Sequence, residues 1–570
     1  MKNKEITHGN FNIPLRFQKN TPIEQNLIND LELINTQEKT NIPVVDYLFK
    51  PTNELGKKSL NQWNCYTSDV NFLKESQKLY NNIDDLQEKR DVIDDMLKTW
   101  KNIKGIQKFD ERFQYIEWER LAFLNSYAIF MYFLSFLNIT APIMQLIAPL
   151  MAFILPFFLL KAAGIPVSMD KYTEILKKIM STNALYKLVT SFNEVDAKQK
   201  VTMLVTVGLY FYNLYQNLLS CYKFYSNSFF IIEKLNSIKE YLNYTINQIT
   251  LFENKIKPYH TYQSFLKDLS SRKEKLQNLH DNLQFLPSKF YDASTIPSYG
   301  YIMKYFYDFH NSEDINELIE YSFGFNGYIN NLVGIKQNIK LNNIHKTIYS
   351  NKNVSKIKKV YHPSLSNECI KNNINLKKSI ILTGPNAAGK TTLLKSTIIN
   401  ILFSQQVGFG FYQSCTLNPF DYFHCYINIP DSVSRDSLFQ AEVRRCKEIL
   451  DTITSKPTAR HFCVFDELYS GTNPYEAISS AYSYLNHITK NTNIKFVLTT
   501  HYIRLCKLFK KHKKITNYKM KVEVDKNDKP KYSYKIKKGV SQIKGGISIL
   551  RDLKYPNDII LEAKNILDKL

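Results

Sequence analysis

Eight consecutive residues, Gly384 to Thr391, read G-P-N-A-A-G-K-T and have the types and spacing of a phosphate-binding loop. Residues 379–383 before them are apolar and β-branched, as in a buried strand, and residues 392–399 after them have helical spacing. Between a strand and a helix, glycines let the backbone turn its N–H groups onto phosphate oxygens, and the helix N-terminus adds partial positive charge. The pattern therefore predicts a site for ATP or GTP.

Two side chains of this loop have the chemistry to act on the phosphates. Lys390 is expected to reach the β- and γ-phosphates, and the Thr391 hydroxyl is placed to ligate Mg²⁺. The residues predicted to hold the nucleotide are Gly384, Pro385, Asn386, Ala387, Ala388, Gly389, Lys390, Thr391 and Thr392.

A second apolar run, His461 to Phe465, ends in two carboxylates, Asp466 and Glu467. An apolar strand that ends in Asp is typical of a Walker B segment. Asp466 is then expected to hold Mg²⁺, and Glu467 to orient or deprotonate the attacking water. An ordinary strand with a polar end is the alternative, but this strand follows the phosphate loop in the same α/β region.

Two further positions indicate contacts to the γ-phosphate. The apolar strand 496–500 is followed by His501, which is predicted to contact that phosphate and to take part in hydrolysis. The polar stretch 431–442 enters a helix with Ser437 at the N-cap position. A helix N-terminus with a free hydroxyl is suited to the γ-phosphate of a nucleotide on a facing subunit.

Charge and cysteine usage restrict the class of protein. The 570 residues carry a net charge of +23, with a pI of about 9.3, and thirteen lysines lie between Lys507 and Lys538. This charge favours anionic partners such as DNA, although a lysine-rich composition alone is the alternative. The eight cysteines form no C-x-x-C pair, and the first ten residues contain no apolar run. These features predict an intracellular protein without a secretory signal.

The chain has no charged residue from Leu121 to Leu160. Two apolar runs, Leu121–Ile139 and Ile143–Leu160, are each close to the roughly 20 residues that span a bilayer, and they predict a membrane hairpin. The alternative is a buried helical core. The similar stretch 201–222 contains more polar residues and is predicted to be a core or interfacial helix. The basic residues around the proposed hairpin, expected on one side of a membrane, are Arg112, Arg120, Lys161 and Lys171.

The pattern of periodicity divides the chain into three parts. Residues 1–42 are polar and predict a loose leader, and residues 43–344 show helical spacing, including long amphipathic helices over 223–285. Residues 345–570 alternate strands and helices. The predicted fold class is an N-terminal all-α core and lever domain followed by a C-terminal α/β P-loop ATPase domain of the ABC type.

The order of these motifs resembles the ABC-type ATPases, and more closely the MutS family of mismatch-recognition ATPases. The carrying segments are Y-H-P at 361–363, T-G-P-N-A-A-G-K-T at 383–391, S-x-F-x-x-E at 437–442, D-E-L-Y-S-G-T-N-P-Y-E-A at 466–477, T-T-H-Y at 499–502 and the closing segment 539–567. Upstream, residues 51–63 look like the entry to the family's helical core and lever domain.

The resemblance implies an ATPase that uses Mg²⁺ and forms a homodimer or heterodimer, in which Ser437 of one subunit completes the site of the other. It also implies binding to mismatched, branched or distorted DNA as an ATP-gated clamp, in DNA mismatch repair or related maintenance. A membrane-anchored ATPase acting on a protein or lipid partner is the main alternative, with membrane contact through residues 121–160. A nucleotide-dependent scaffold is a third reading.

The sequence also departs from the family pattern. About 45 residues precede the lever, too few for the family's mismatch-reading and connector domains. Phe192-Asn193-Glu194 matches the mismatch-reading F-x-E only by letters. Cys369 and Ile370 stand where the family often stacks an aromatic residue on adenine, and the phosphate loop has Ala387 and Ala388 where Met and Gly are usual.

Overall fold

The computed structural model describes residues 8–36, 38, 40–164, 168–181, 196–287, 295–365, 369–427, 437–524, 530–542, 550, 551 and 553–569. Three motifs named above lie at least partly outside these residues. They are the loop Asp431–Asp436, the triplet Phe192–Glu194 and the Gly545–Ile547 part of the closing segment.

Most of the described residues are helical. The α-helices are Gln25–Asp30, Val44–Phe49, Glu54–Ser59, Val70–Asn81, Arg90–Lys104, Phe109–Phe113, Ala128–Ala162, Met169–Met180, Ala197–Ile256, Gln263–Asn282, Thr295–Asn311, Glu313–Lys340, Lys390–Gln406, Leu438–Ser455, Pro474–Ile488, Ile503–Leu508 and Asn557–Lys569. Short 3-10 helices are Pro14–Phe17, Leu60–Trp63, Ala122–Ser126, His260–Tyr262 and Pro363–Leu365.

Within the described residues, the strands form three sheets. The largest has the order Pro530–Lys538, Ile515–Val524, Ser379–Thr383, Ile494–Thr500, His461–Asp466, Tyr422–Tyr426, and all its neighbours are parallel except the first pair. The second has the order Asn372–Asn375, Lys356–Val360, Ser414–Leu417, His345–Tyr349, Phe409–Gly410. A small antiparallel pair joins Thr21–Pro22 to Cys65–Tyr66.

The chain forms two compact units that do not follow the predicted domain limits. One contains residues 89–246 and 274–318, and the other contains residues 6–88, 247–273 and 319–570. Residues 43–344 are thus divided between the two units. The unit that contains the α/β region also contains the N-terminal residues. The reason is that the long helix Ala197–Ile256 contributes its two parts to different units.

Residues 1–42, predicted to be a loose polar leader, contribute to a core from residue 11 onward. Phe11 is fully buried, and its ring makes edge contacts with Phe265 and Tyr321 at centroid distances of 6.1 and 5.2 Å. Ile13 and Leu15 are also buried. The few apolar residues of this segment therefore pack against residues that are distant in the sequence. A local count of polar residues does not detect such packing.

The apolar block 121–160 is one continuous helix, Ala128–Ala162, and not the predicted hairpin. The helix continues through Pro142 because that residue removes only one backbone N–H, and no glycine or polar cluster next to it favours a turn. Just before it, the Thr140 hydroxyl donates to the Phe136 carbonyl oxygen at 2.7 Å, a bond within the helix. Arg112 precedes this helix and Lys161 lies in its last turn, so the one-sided arrangement of basic residues expected for a hairpin was wrong.

Among the described residues, one helical segment, Ala128–Gln145, is long and apolar enough to cross a membrane. The stretch 201–222, predicted to be a core or interfacial helix, belongs to the helix Ala197–Ile256. Its side chains are largely exposed, with Leu209 57% and Tyr222 68% accessible, so the core interpretation was wrong.

The central helix Lys390–Gln406 is buried along most of its length and is held by the N-terminal residues of its unit. The Gln406 side chain donates to the carbonyl oxygens of Trp63 and, at 3.1 Å, Cys65. The Gln405 side chain donates to the Thr67 carbonyl oxygen at 3.1 Å. The entry segment that resembles the family's core thus fixes the far end of the helix that begins at the phosphate loop.

Candidate functional site

The phosphate loop lies at the carboxyl edge of the large sheet. Its strand, Ser379–Thr383, is entirely buried and pairs in parallel with Ile494–Thr500 and Ile515–Val524. At the end of the loop, Ala387 and Gly389 have φ values of 59° and 87°. These left-handed conformations turn successive N–H groups toward one side, which is the backbone arrangement of an anion-binding nest.

Lys390 is buried under this loop, with 6% of its surface accessible. Its Nζ donates to the carbonyl oxygens of Gly384 and Pro385 at 3.1 and 3.3 Å. Burial lowers the pKa of the ammonium group, and the nearby carboxylates of Glu467 and Asp466 oppose that shift. The ammonium is therefore held by neutral carbonyl oxygens at the floor of the loop, a cation that an arriving phosphate can pair with.

The second carboxylate strand brings its side chains to the same edge. The Thr391 hydroxyl donates to Asp466 Oδ2 at 2.8 Å, and the Thr499 hydroxyl donates to the other oxygen, Oδ1. One hydroxyl comes from the first turn of the helix Lys390–Gln406 and the other from the end of the strand Ile494–Thr500, and together they fix the plane of the carboxylate. One hydroxyl and one carboxylate next to the loop form a set of hard oxygen donors, which suits Mg²⁺.

Glu467 and His501 lie on the open side of the loop. His501 Nε2 is 2.7 Å from Glu467 Oε1 and 3.1 Å from Lys390 Nζ. The hydrogen bond from His501, followed by its charge and that of Lys390, lowers the pKa of Glu467. Glu467 also has a φ of 54°, a strained conformation of the kind that concentrates at functional sites.

One nitrogen of His501 thus faces two groups of opposite charge. With a proton, Nε2 donates to the carboxylate; without one, it accepts from the ammonium. It cannot do both, so the tautomer of His501 decides whether Glu467 or Lys390 is the group it holds.

A pocket of about 610 Å³ opens beside the loop. Tyr534 lines it from the strand Pro530–Lys538, and its backbone oxygen accepts from the Asn372 side chain at 2.9 Å. A Cβ on Gly389 would lie 3.1 Å from the Tyr534 ring, so the ring stands directly against the loop. Cys369 and Ile370 line the same pocket, which therefore combines an aromatic and aliphatic wall with the phosphate loop.

Ser437 is the N-cap of the helix Leu438–Ser455, as the sequence predicts. Its hydroxyl accepts from the Gln440 backbone at 3.4 Å, and the Gln440 side chain accepts from the Ser437 backbone at 2.9 Å. Ser437 is exposed and is not among the residues that line the pocket of its own chain. Its prediction as a phosphate contact therefore concerns a second subunit.

Glu442 links this helix to the loop that follows the second carboxylate strand. Its buried carboxylate accepts three hydrogen bonds, from the Ser470 backbone at 3.0 Å, the Ser470 hydroxyl at 2.9 Å and the Gly471 backbone at 3.1 Å. The Ser437 helix and the residues after Glu467 are thus connected by charge-assisted bonds.

The structure brings together the residues that the sequence predicted at the loop, at Asp466 and Glu467, and at His501. Sequence reasoning missed the parts played by Thr499, Glu442 and Tyr534. The first two belong to motifs quoted for the family resemblance and could have been examined as hydrogen-bond partners. Tyr534 has no local signal, because it stands in a lysine-rich strand far from the loop in the sequence.

Residues 380–570 match the family model for MutS domain V. The chain is 30% identical over 245 residues to the DNA mismatch repair protein MutS of Phocaeicola vulgatus, covering 40% of this chain and 28% of that protein. It is 31% identical over 215 residues to the protein of the same name from Orientia tsutsugamushi, covering 38% and 23%. The matched part is thus less than a third of the length of these curated relatives.

Proposed function

Because its C-terminal region makes this chain a divergent member of the MutS family, we propose that the protein binds and hydrolyses ATP at the phosphate loop and acts on DNA. The single observation that carries the proposal is the convergence of Lys390, Asp466, Glu467 and His501 around one backbone nest. Four groups from three strand ends meet there, and each has a role in phosphoryl transfer.

The residues present fit ATP and Mg²⁺. The backbone N–H groups of residues 384–391 and the Lys390 ammonium bind the phosphates, and the pocket beside Tyr534 and Ile370 accepts the base. Thr391 and Asp466 hold the ion, which when bound neutralises charge that builds on the phosphate oxygens. The hydrogen bond between these two side chains keeps the donor oxygens together.

Glu467 is the proposed general base. Its lowered pKa keeps it ionised at neutral pH, so it accepts a hydrogen bond from water and orients it. When Lys390 pairs with phosphate, its ammonium no longer competes for His501 Nε2. That nitrogen can then carry a proton and donate a hydrogen bond to Glu467. The pair then fixes the carboxylate toward the attacking water.

The dimer and clamp follow from the position of Ser437. Its exposed hydroxyl at a helix N-terminus is suited to the γ-phosphate on a facing subunit, and Glu442 transmits its position to the loop after Glu467. We propose that ATP closes such a dimer, as a homodimer or heterodimer, and that the helical region 43–344 carries the change to DNA. The net charge of +23 supports DNA binding mainly through phosphates.

The test of the enzymatic proposal is Glu467→Gln. ATP hydrolysis should fall by about 100-fold or more, while ATP binding, followed with a fluorescent analogue, stays within a few fold. The matched control is Glu476→Gln, a fully exposed carboxylate nearby that bonds to Thr472. Hydrolysis that is unchanged in Glu467→Gln would remove the assignment of the base. A chain that binds ATP without detectable turnover would instead support the scaffold reading.

DNA binding is tested with plain, mismatched and branched duplexes, with and without ATP. If about six to ten phosphates are neutralised, affinity should fall by about 10³ to 10⁵-fold between 50 and 200 mM salt. The expected result is a preference for branched or distorted DNA that changes with ATP. Binding that is absent at low salt would contradict the DNA part of the proposal and leave the nucleotide part standing.

A further inference from the structure

The first part of the helix Ala128–Ala162 belongs to the core of its unit. Met131 is fully buried, and Gly300 on the helix Thr295–Asn311 packs so closely that a Cβ there would lie 2.8 Å from Tyr132 Cβ. The buried Ser135 lies on the same stretch. Up to about residue 139, this helix is therefore packed on one side only, and Ile129, Phe133 and Phe136 remain exposed.

Beyond that point, the helix is accompanied by part of the helix Ala197–Ile256. The Asn217 side chain donates to Gln145 Oε1 at 2.7 Å. Nearer the core, the Phe224 ring packs at a tilt against Tyr299 with ring centroids 5.4 Å apart, next to the glycine that contacts residues 128–132. Moving away from the core, residue numbers rise along the helix Ala128–Ala162 and fall along the helix Ala197–Ile256. The two helices therefore run in opposite directions. We call residues 140–160 and 201–222 the apolar hairpin.

The apolar hairpin lacks charge, and most of its large exposed side chains are apolar. Neither segment contains Asp, Glu, Lys or Arg. A helix at the surface of a soluble domain places polar residues on its exposed side. Here the exposed polar residues are few and uncharged, among them Thr202, Thr206, Asn213 and Gln216. Most exposed side chains are apolar or aromatic: Met144, Ile154, Leu155, Phe158, Leu159, Val201, Leu204, Val205, Leu209, Phe211, Tyr212, Tyr215, Leu218 and Tyr222.

The dimensions of the apolar hairpin match a bilayer. At 1.5 Å per residue, segments of 21 and 22 residues extend about 32 Å, and the hydrocarbon core of a bilayer is roughly 30 Å thick. Charge begins at both ends, with Lys223 toward the core and Lys161 and Lys200 at the far end. Exposed aromatic residues lie at the core end, with Tyr222 68% and Tyr225 40% accessible. Such residues are typical of the membrane interface.

We propose that the apolar hairpin is embedded in an anionic lipid bilayer. The side chains of Asn217 and Gln145, one on each helix, bond to each other, which is how polar groups are accommodated between membrane helices. At the far end, the described residues 161–164, 168–181 and 196–200 contain six lysines and three acidic residues, a net positive charge that complements anionic headgroups. The proposal goes beyond ATP hydrolysis and DNA binding and does not depend on either.

The test uses the full chain, reconstituted by detergent removal with vesicles of phosphatidylethanolamine and phosphatidylglycerol and floated in a density gradient after a carbonate wash. The variant is Leu155→Lys with Leu209→Lys, at positions 47% and 57% accessible in the structure. The control is Leu341→Lys, an equally exposed leucine outside the hairpin, 63% accessible. Because all three side chains are exposed, a lysine at any of these positions is tolerated in water. A lysine in the hairpin disfavours only its insertion into lipid.

The wild-type chain and Leu341→Lys should float, and the double variant should lose flotation, with partitioning lowered by at least about 50-fold per lysine. Thermal unfolding followed by circular dichroism should match in all three proteins. A wild-type chain that stays at the bottom of the gradient, or a double variant that floats equally well, overturns the proposal. It is also overturned if the wild-type chain does not float but forms larger assemblies that the double variant dissolves, because a second copy would then cover the hairpin.

Discussion

The link between Glu442 and the loop Ser470–Gly471 gives the sharpest prediction about how the site is built. In Glu442→Gln, the remaining side-chain oxygen still accepts hydrogen bonds from the loop. The new amide nitrogen, however, is a donor that faces another donor, a backbone N–H of the loop. One charge-assisted bond is lost and a buried donor is left without an acceptor, which costs about 2 kcal/mol. Local opening of this loop then becomes about 30-fold more frequent.

Amide hydrogen exchange measures this effect directly, because the N–H groups of Ser470 and Gly471 are the donors. Exchange in a peptide covering residues 466–477 should accelerate by about 30-fold. The control is Glu448→Gln on the same helix, whose carboxylate is 55% exposed and pairs with Arg445. That change should cost under about 0.5 kcal/mol. Equal protection of Ser470 and Gly471 in both variants would refute the assignment of Glu442 as the link.

Three further predictions concern the pocket, the pH dependence of stability and two glycines. Tyr534→Ala should weaken ATP binding by about 3 to 10-fold by removing the aromatic wall, with Tyr532→Ala as the control and unchanged affinity as the contrary result. Burial lowers the pKa of His424 from 6.5 to about 3, so the unfolded chain binds more protons below pH 6.5 and stability is lost as the pH falls. Urea unfolding should show about 2 kcal/mol less stability at pH 5.0 than at pH 7.5 from this group, and His424→Gln should flatten that dependence. Gly334→Ala places a Cβ against the Phe49 carbonyl oxygen and should cost about 3 kcal/mol or more, whereas Gly208→Ala, with open space around it, should gain about 0.5 to 1 kcal/mol in thermal unfolding.

The chemistry that depends on neighbouring residues could be predicted from the sequence. The phosphate loop, the carboxylates at Asp466 and Glu467 and the cap at Ser437 are each defined by a few consecutive residues. Their backbone preferences act over the same short range: glycine permits a left-handed turn, and a serine hydroxyl satisfies the N–H groups of the turn that follows it. The strands and the helix around the loop therefore form where the pattern places them.

Only the tertiary structure decided which distant residues meet. Tyr534 reaches the loop because the last strand pairs antiparallel to Ile515–Val524, and nothing in its own segment indicates this. Phe11 joins a core with Tyr321 through a contact more than 300 residues away in the chain.

The apolar block shows the same limit most clearly. Its composition determined that residues 121–160 avoid charge, but not whether they fold back on themselves. A turn at Pro142 and a continuous helix differ locally by about one hydrogen bond. The structure instead places residues 140–160 alongside 201–222, a pairing that Gln145 and Asn217 make across 72 positions. Local pattern specifies that a segment is apolar, whereas the path of the whole chain decides which segment lies beside it.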